Sequence, residues 1–314
     1  MKLFKKRVKS RKTIYYVCGI PVYVKRLKTE DIAYNVFKKM HKLEVCAYPT
    51  ISSLPPAVGQ KRELQLANLK ILVAVDEFCR KHNIRYWVSD GTALGAARHG
   101  DFIPWDDDID ITMLRSDYDK MIAIFNAENT NPNLILELCS APRGIFNMVK
   151  IKHKQIPSLW VDIFPYDLYA EKVKTWDERI QLTAQADKIQ VKNKKRYKKG
   201  SSVPEFHQYY KDLYTKFLDG KAPASEKDCP DIVIGFEYFN TPKYSKFFPY
   251  ETIFPLKEIK FCNHKFFCPN DIDTYLTVFY GDYMDYPGYI DQVHTDVNKM
   301  SVDEILKIKE FIKK

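Results

Sequence analysis

The chain has 314 residues, of which 45% are apolar and 29% are charged, and its formal net charge is +10. This composition excludes an intrinsically disordered protein and is sufficient for a substantial buried core. No apolar run reaches the roughly 18–20 residues that cross a bilayer, and the seven cysteines follow no disulfide spacing, so we predict a cytoplasmic protein.

The first 59 residues are predicted to form a basic N-terminal extension. Residues 1–12 contain seven lysines and arginines, and residues 14–24 are rich in β-branched and aromatic side chains, which favours a small hairpin turning near Gly19. A helix is expected over residues 29–48, followed by a proline-rich linker over residues 49–59. The basic segment either is a solvated surface or rests on the anionic inner face of a membrane.

Residues 60–170 are predicted to form a catalytic core in which helices and strands alternate. This pattern favours an α/β or α+β fold, with a mixed sheet flanked by helices. Helices are expected at residues 60–83 and 116–127. Strands are expected at residues 84–89, 109–113, 134–138, 146–151 and 159–164, and the last of them is closed by Pro165.

Residues 171–314 are predicted to form a helical and irregular region on the acceptor side of the core. Helices are expected at residues 173–199, 205–218 and 271–280, and a hairpin at 259–268; the first helix ends in a lysine-rich run over 188–199. Cys262, His264 and Cys268 have a spacing that zinc could use, but no fourth ligand is evident, so we interpret them as part of the hairpin.

The residues that indicate chemistry lie between positions 90 and 119. Gly91 and Thr92 are predicted to form a small-residue turn that lets the backbone approach a phosphate, and a loop follows. Asp108 and Asp110 are two residues apart in a predicted strand, so both carboxylates point to one face, where they can bind one cation. Asp162 is an isolated acid in an apolar strand and is the expected third ligand. The alternative is an inert acidic turn that caps a helix.

Two segments of this region resemble the signature of the LicD family. Members of this family are phosphotransferases related to fukutin and fukutin-related protein. The two segments are residues 91–99, GTALGAARH, and residues 102–110, FIPWDDDID. Residues 160–165, WVDIFP, resemble the second acidic strand of that family, and residues 275–294 resemble its C-terminal signature. The similarity covers about residues 61–296, so the N-terminal extension lies outside it.

The resemblance implies a nucleotidyltransferase-like core and a defined type of reaction. Members of the family transfer a phosphorylated alcohol, typically phosphocholine, from a CDP-activated donor to a sugar of a surface glycan such as lipopolysaccharide, capsule or teichoic acid. Because ribitol-phosphate transferases are also relatives, the motif does not fix the alcohol. The acceptor could be lipid-linked. The lysine-rich run over residues 188–199 departs from the family pattern.

The residue pattern and the resemblance together predict roles for individual residues. Asp108, Asp110 and Asp162 are the predicted catalytic residues and ligands of Mg²⁺ or Mn²⁺; Asp162 alternatively accepts the proton of the acceptor hydroxyl. Asp106 and Asp107 are expected to support the ligands from outside the metal shell. The residues predicted to bind substrate are Gly91, Thr92, Arg98, His99, Lys150, Lys152 and His294. For Lys150 and Lys152 the alternative is a solvated strand face, and for His294 it is a structural hydrogen bond.

Two other functions remain compatible with the sequence. One is a nucleotidyltransferase that moves a nucleoside monophosphate to a small acceptor or an RNA end. The other is a non-catalytic protein that binds membranes or nucleic acid through its basic runs. The three aspartates argue against the second, because a phosphate-binding module would not place acids at its site without a metal. We therefore expect no nucleic-acid partner.

Overall fold

The computed structural model describes most of the chain in two compact units. One unit comprises residues 1–54 and 285–292, and the other comprises residues 55–284 and 293–314. Within the described residues no helix is long and apolar enough to cross a membrane. The described residues are 4–9, 12–17, 20–26, 48–140, 147–171, 173, 175–193, 203–221, 224–228, 230–238, 246–287, 295 and 297–313.

The smaller unit contains a three-stranded antiparallel sheet. Its strands are β1 (Phe4–Lys9), β2 (Lys12–Val17) and β3 (Ile20–Arg26), in that order. The predicted hairpin is confirmed by the pairing of β2 with β3. The strand β1 is not predictable from the sequence, because its lysines and arginines have the composition of a solvated tail. Most of the helix predicted over residues 29–48 lies outside the described residues.

The larger unit is built on a mixed sheet of seven strands, and a separate hairpin accompanies it. The strands of the sheet are β4 (Trp87–Val88), β5 (Asp110–Leu114), β6 (Leu134–Ser140), β7 (Asn147–His153), β8 (Trp160–Tyr169), β9 (Asp231–Ile234) and β10 (Phe247–Pro249). The hairpin pairs β11 (Lys257–Phe261) with β12 (His264–Cys268), as predicted.

Eight α-helices are present in the described part of the chain, and together with the mixed sheet they confirm the predicted α/β or α+β class. They are α1 (Gly59–Lys81), α2 (Asp90–His99), α3 (Arg115–Glu128), α4 (Trp176–Asn193), α5 (Val203–Phe217), α6 (Tyr250–Ile253), α7 (Ile272–Tyr280) and α8 (Val302–Lys313). The three-part division into residues 1–59, 60–170 and 171–314 stays a prediction.

The central strand of the large sheet is β8. It lies parallel to β5 on one side, and on the other side it pairs antiparallel with β7 through its first half and with β9 through its second half. Val161 and Ile163 on one face and Tyr166 on the other are almost completely buried. A ten-residue strand with both faces covered requires such a continuous apolar sequence, and any acid within it must have a partner.

Pro165 does not end this strand, contrary to the sequence prediction. The pairing with β7 stops at Ile163, and the pairing with β9 starts at Tyr166. Pro165 therefore lies in the gap between two neighbouring strands, where the N–H group that proline lacks is not needed for a ladder bond. Its carbonyl oxygen accepts a hydrogen bond from Gly235 N at 2.7 Å.

Three further predictions were wrong in detail. The strand predicted over residues 84–89 is reduced to Trp87–Val88, and the turn and loop predicted from Gly91 onward are the helix α2. The region that contains many prolines, predicted to be irregular, includes the short elements β9, β10 and α6. The two strands are only three and four residues long, so neither produces a recognisable periodic pattern in the sequence.

A buried ion cluster fixes the second half of β8. Arg115, the first residue of α3, lies between Asp167 of β8 and Glu237, with N–O distances of 2.7 Å and 2.6 Å respectively. The carboxylates of Asp167 and Glu237 are almost fully buried, so both depend on the guanidinium for compensation. Asp167 also accepts a hydrogen bond from Phe236 N.

Candidate active site

The start of α2 is attached directly to β5. Thr92 Oγ1 accepts a hydrogen bond from Asp110 N at 2.9 Å, and Ser89 N donates to Asp110 O at 3.1 Å. A Cβ atom at Gly91 would lie 2.5 Å from Asp106 Oδ2, so only glycine lets the acidic segment approach the helix this closely. The contacts of Gly91 and Thr92 are thus with the acidic segment itself, and their binding of substrate stays a prediction.

The structure brings the three predicted catalytic acids together. Asp110 and Asp162 are register partners on the parallel strands β5 and β8, and Asp108 precedes β5 by two residues. Each of Asp108, Asp110 and Asp162 offers a carboxylate oxygen, and these oxygens all lie within 4.8 Å of one another. Asp106, Asp107 and Asp108 form a second such group, in which Asp108 is shared. Clustered carboxylate oxygens are the donors that Mg²⁺ and Mn²⁺ prefer, so the residues fit a divalent cation.

Burial and mutual repulsion raise the pKa values of Asp106, Asp110 and Asp162. Burial, followed by the charge of Asp108, holds the pKa of Asp106 and of Asp110 well above the usual range. The pKa of Asp162 is raised to about 6, again mainly by burial, and the neighbouring Lys150 opposes the increase. Neighbouring buried carboxylates repel one another when they are ionised. A bound cation offsets this repulsion, so such a cluster favours cation binding.

Two buried amides of α1 hold the backbone of the acidic segment. Gln65 Nε2 donates to Asp106 O at 2.8 Å, and Asn68 Nδ2 donates to Asp107 O at 3.0 Å. The side-chain oxygen of Asn68 accepts from Trp160 N at 3.0 Å, so one asparagine connects the acidic segment to β8. Gln65 and Asn68 are both completely buried, and the amphipathic pattern of α1 gave no signal that two of its core positions are polar.

Asp106 and Asp107 have contacts that suit the supporting role predicted for them. Asp106 Oδ1 accepts from Asp107 N at 3.2 Å. Asp107 Oδ2 accepts from Thr295 N at 2.7 Å. His294, the residue before Thr295, lies outside the described residues, so its predicted contact with the acceptor stays a prediction.

Lys150 and Lys152 lie on β7, two residues apart, and each pairs with a carboxylate. Lys150 Nζ lies 2.8 Å from Asp162 Oδ1, and Lys152 Nζ lies 2.7 Å from Glu137 Oε1. Their side chains are 15% and 27% exposed, which differs from the solvated strand face that was the alternative reading. Only Lys150 contacts the acid cluster.

Arg98 is a buried cation at the end of α2. The residue is 7% exposed, Nη1 donates to Tyr283 O at 2.7 Å, and Nε donates to His99 Nε2 at 3.1 Å. Among the described residues no carboxylate lies within 4.0 Å of its guanidinium nitrogens, and burial lowers its pKa to about 10. Burial and the charge of Arg98 lower the pKa of His99 to about 4, so His99 is neutral at pH 7 and its protonated nitrogen is Nδ1.

Sequence reasoning missed two residues of this site. Asp90, the first residue of α2, has a backbone φ of 43°, and burial of its carboxyl group raises its pKa to about 6. Trp160 donates from Nε1 to Asp162 Oδ2 at 3.1 Å. An acid directly before Gly91 was a signal that could have identified Asp90. The place of Trp160 in the site could be predicted only from the alternation of side chains along β8, because this alternation puts Trp160 on the same face as Asp162.

Cys262 of the hairpin contacts a carboxylate, and the absence of zinc from the hairpin stays a prediction. Cys262 Sγ lies 3.0 Å from Asp101 Oδ1, and burial raises the pKa of the Cys262 thiol to about 12. The groups of three or more potential ligands found among the described residues do not include Cys262, His264 or Cys268.

Asp110 and Asp162 on adjacent parallel strands, with Asp108, form a largely buried carboxylate cluster of the kind that binds Mg²⁺ together with substrate phosphates. Residues 83–207 match the family model described as LicD/FKTN/FKRP, nucleotidyltransferase domain. This match assigns similarity to the LicD/FKTN/FKRP domain to that range of the chain. The matched range includes α2, β5 and β8, and so all of the clustered aspartates.

Two relatives illustrate the similarity. The lipopolysaccharide cholinephosphotransferase LicD of Haemophilus influenzae is 27% identical over 254 residues, which are 74% of this chain and 94% of the relative. Human ribitol 5-phosphate transferase FKRP is 47% identical over 87 residues, which are 26% of this chain and only 17% of the human protein. The likeness to the first is spread along nearly its whole length, and the likeness to the second is confined to a short, more similar segment.

Proposed function

We propose that this protein is a Mg²⁺-dependent transferase that moves a phosphorylated alcohol, such as phosphocholine, from a CDP-activated donor to a sugar hydroxyl of a cell-surface glycan. The observation that carries the proposal is the convergence of Asp108, Asp110 and Asp162 within 4.8 Å. The similarity to a lipopolysaccharide cholinephosphotransferase over 94% of that protein supports the choice of phosphocholine as the transferred group and of a glycan as the acceptor.

In the proposed reaction the oxygen of the acceptor hydroxyl forms a bond to the phosphorus that carries the alcohol, and its proton passes to water or to the departing CMP phosphate. The bond between that phosphorus and the bridging oxygen breaks, and CMP leaves with the electron pair. The metal, held by Asp108, Asp110 and Asp162, would neutralise the negative charge that develops on the leaving phosphate. Mn²⁺ could replace Mg²⁺ on the same oxygen ligands.

The protein's own side chains then have separate tasks. Asp162 receives hydrogen bonds from Lys150 and Trp160, which stabilise its ionised form and favour its role as a metal ligand over that of a proton acceptor. Arg98, buried without a carboxylate partner among the described residues, is suited to bind a donor phosphate through its planar set of N–H groups. His99 stays neutral beside it and adds no competing charge.

A CMP-release assay tests the proposal. Asp108→Asn and Asp110→Asn should each reduce metal-dependent release of CMP from CDP-choline or a related donor by at least about 100-fold, because each removes a charged ligand. Asp303→Asn, which changes an exposed acid of α8, is the matched control and should retain full activity. Full activity in either ligand variant would contradict the assignment.

A second candidate is transfer of a nucleoside monophosphate, which is favoured by the description of the matched family domain as a nucleotidyltransferase domain. The same assay separates the two reactions. Incorporation of the CMP moiety into an acceptor, with release of the phosphoalcohol, would favour nucleotidyl transfer. Release of free CMP with labelled alcohol on the glycan favours the first proposal.

The basic N-terminal segment provides a hypothesis for location. We propose that it holds the enzyme at the inner face of a membrane, where a lipid-linked acceptor would be found, because it contains seven basic residues within its first 12. Removal of residues 1–28 should weaken binding to vesicles that contain phosphatidylserine, and high salt should weaken the binding of the full chain. Equal binding by the shortened and full chains would refute this hypothesis.

A further inference from the structure

Lys150 lies where its charge balances one acid of the cluster. It is the antiparallel register partner of Asp162 on β7, and Asp110 is the partner of Asp162 on the other side. Its Nζ atom lies 2.8 Å from Asp162 Oδ1 and 3.1 Å from Oδ2. Asp162 is thus shared between a lysine on one side and the predicted metal ligands on the other.

Trp160 holds both members of this pair in place. Lys150 Nζ lies 4.4 Å from the centre of the Trp160 ring, within the range of a cation–π contact. The indole N–H of the same residue donates to Asp162 Oδ2 at 3.1 Å. The side chains of Lys150 and Asp162 are only 15% and 6% exposed, so water screens their attraction weakly.

We infer that Lys150 is an internal counter-cation, which neutralises Asp162 in the metal-free enzyme and releases it when the metal binds. This inference rests on the proposed metal-dependent function. An ammonium group and a divalent cation that share one carboxylate compete for its oxygens and repel each other. After release, the Lys150 ammonium is available to the phosphates of the donor, which arrive with the metal.

Lys152 provides a matched control on the same strand. It lies two residues from Lys150 on the same face of β7, and its Nζ atom pairs with Glu137 Oε1 at 2.7 Å. Glu137 is not a member of either carboxylate group described above. Loss of the Lys152 charge therefore changes the same strand face without changing the charge balance of Asp162.

The test measures binding of Mn²⁺ alone, without donor, by isothermal titration calorimetry. Lys150→Met should bind Mn²⁺ about tenfold more tightly than wild type, because the competing charge is removed. Lys152→Met should bind with wild-type affinity. In thermal unfolding, metal-free Lys150→Met should have a lower Tm than wild type, and saturating Mn²⁺ should raise its Tm by more than it raises that of wild type.

The outcomes separate this inference from the proposed function. Wild-type protein that binds no Mn²⁺ would overturn both. Wild-type protein that binds Mn²⁺, together with Lys150→Met that binds it no more tightly, would overturn the inference and leave the metal-dependent function in place.

A second measurement uses the wild-type protein and does not depend on the folding of Lys150→Met. Mg²⁺ should change the tryptophan emission of wild type, because the ammonium above the Trp160 ring departs. Trp160→Phe should lose most of that change. Binding of Mg²⁺ by wild type with no change in emission would contradict the displacement of Lys150.

Discussion

Two glycines of α2 have close neighbours of different kinds. A Cβ atom at Gly91 would meet the carboxylate of Asp106 at 2.5 Å, whereas a Cβ atom at Gly95 would meet the backbone at Asp101 O, at 2.7 Å. The same substitution to alanine should therefore perturb the acidic site at one position and the packing of the helix at the other.

We expect Gly91→Ala to fold and to lose most of its CMP-releasing activity and Mn²⁺ affinity, because the displaced Asp106 disturbs the neighbouring ligands. Gly95→Ala should lower the free energy of unfolding by about 1–3 kcal/mol, because the loop backbone cannot move aside as a side chain can. Urea unfolding and calorimetric Mn²⁺ titration of both variants check the pair. Equal stability losses, with equal metal affinities, would show that Gly91 is only a packing residue.

His99 predicts a specific dependence of stability on pH. The pKa of its imidazole is lowered to about 4 in the folded protein from an ordinary value near 6.5. Between these values the unfolded chain binds a proton that the folded chain does not, so this residue contributes a loss of stability as the pH falls from about 6.5 towards 4. The contribution is absent above the unfolded pKa.

The corresponding variant is His99→Asn. Its free energy of unfolding, measured in urea at pH 7 and pH 5, should fall less over this interval than that of wild type, because the unfolded-state proton uptake at position 99 is removed. If the free energy of unfolding of the variant changes with pH as much as that of wild type, His99 has the same pKa in the folded and unfolded chains.

At the scale of elements, the site is assembled by contacts that α1 makes across the chain. Asn68 connects the acidic segment before β5 with Trp160 of β8 through two hydrogen bonds. Asn126 of α3 forms a comparable pair with the N–H and C=O groups of Leu136, at 2.8 Å each, away from the acids. Substitution of each asparagine removes a buried amide, but only Asn68 contacts the acidic segment. A comparison of the two variants therefore separates an effect on the site from the general effect of losing a buried amide.

Asn68→Ala should cost about 1–3 kcal/mol of stability, because it leaves a buried carbonyl and a buried N–H group without partners. It should also weaken Mn²⁺ binding, because Asp108 and Asp162 lose a common support. Asn126→Ala should be less stable than wild type and bind Mn²⁺ normally. Chemical denaturation and metal titration measure these effects, and normal metal affinity in Asn68→Ala would contradict the supporting role.

The elements also show which parts of the site the sequence could predict. The spacing of Asp108 and Asp110 and the isolated Asp162 in an apolar strand predicted that the three acids converge, although Asp108 lies before β5 and not in the strand as predicted. The helix α2 was not predictable, because Gly91 and Gly95 have low helix propensity and favour a turn. The hydrogen bond between Thr92 and Asp110 and the close packing of Gly95 on the next loop stabilise the helix, and both depend on residues distant in the sequence.

At the scale of the whole molecule, single arginines connect elements that are far apart in the chain. Arg115 bridges the nearly buried carboxylates of Asp167 and Glu237, and its own side chain is 15% exposed. Arg85 likewise bridges Asp117 and Glu226, but its side chain is 41% exposed. No periodic pattern predicts such bridges, because their partners are up to about 140 residues apart.

Arg115→Met should destabilise the protein by about 3–5 kcal/mol, since two buried carboxylates lose their only bridging cation among the described residues. Arg85→Met should cost about 1 kcal/mol or less, because water reaches Arg85 and Glu226, and Asp117 keeps its hydrogen bond from Arg85 N. Thermal and urea unfolding of the two variants provide the comparison. Similar losses of stability in the two variants would mean that the burial of an ion cluster does not determine how much it contributes to stability.

The spacing within β8 has a consequence for how this protein can evolve. Asp162 in the first half contributes to the acid cluster, and Asp167 in the second half binds Arg115, so four residues separate two acids with different partners on opposite faces. Insertion or deletion of one residue between them would turn one acid to the wrong face of the sheet. We expect homologous sequences to exchange one apolar side chain for another between these two aspartates but to conserve the number of residues that separates them.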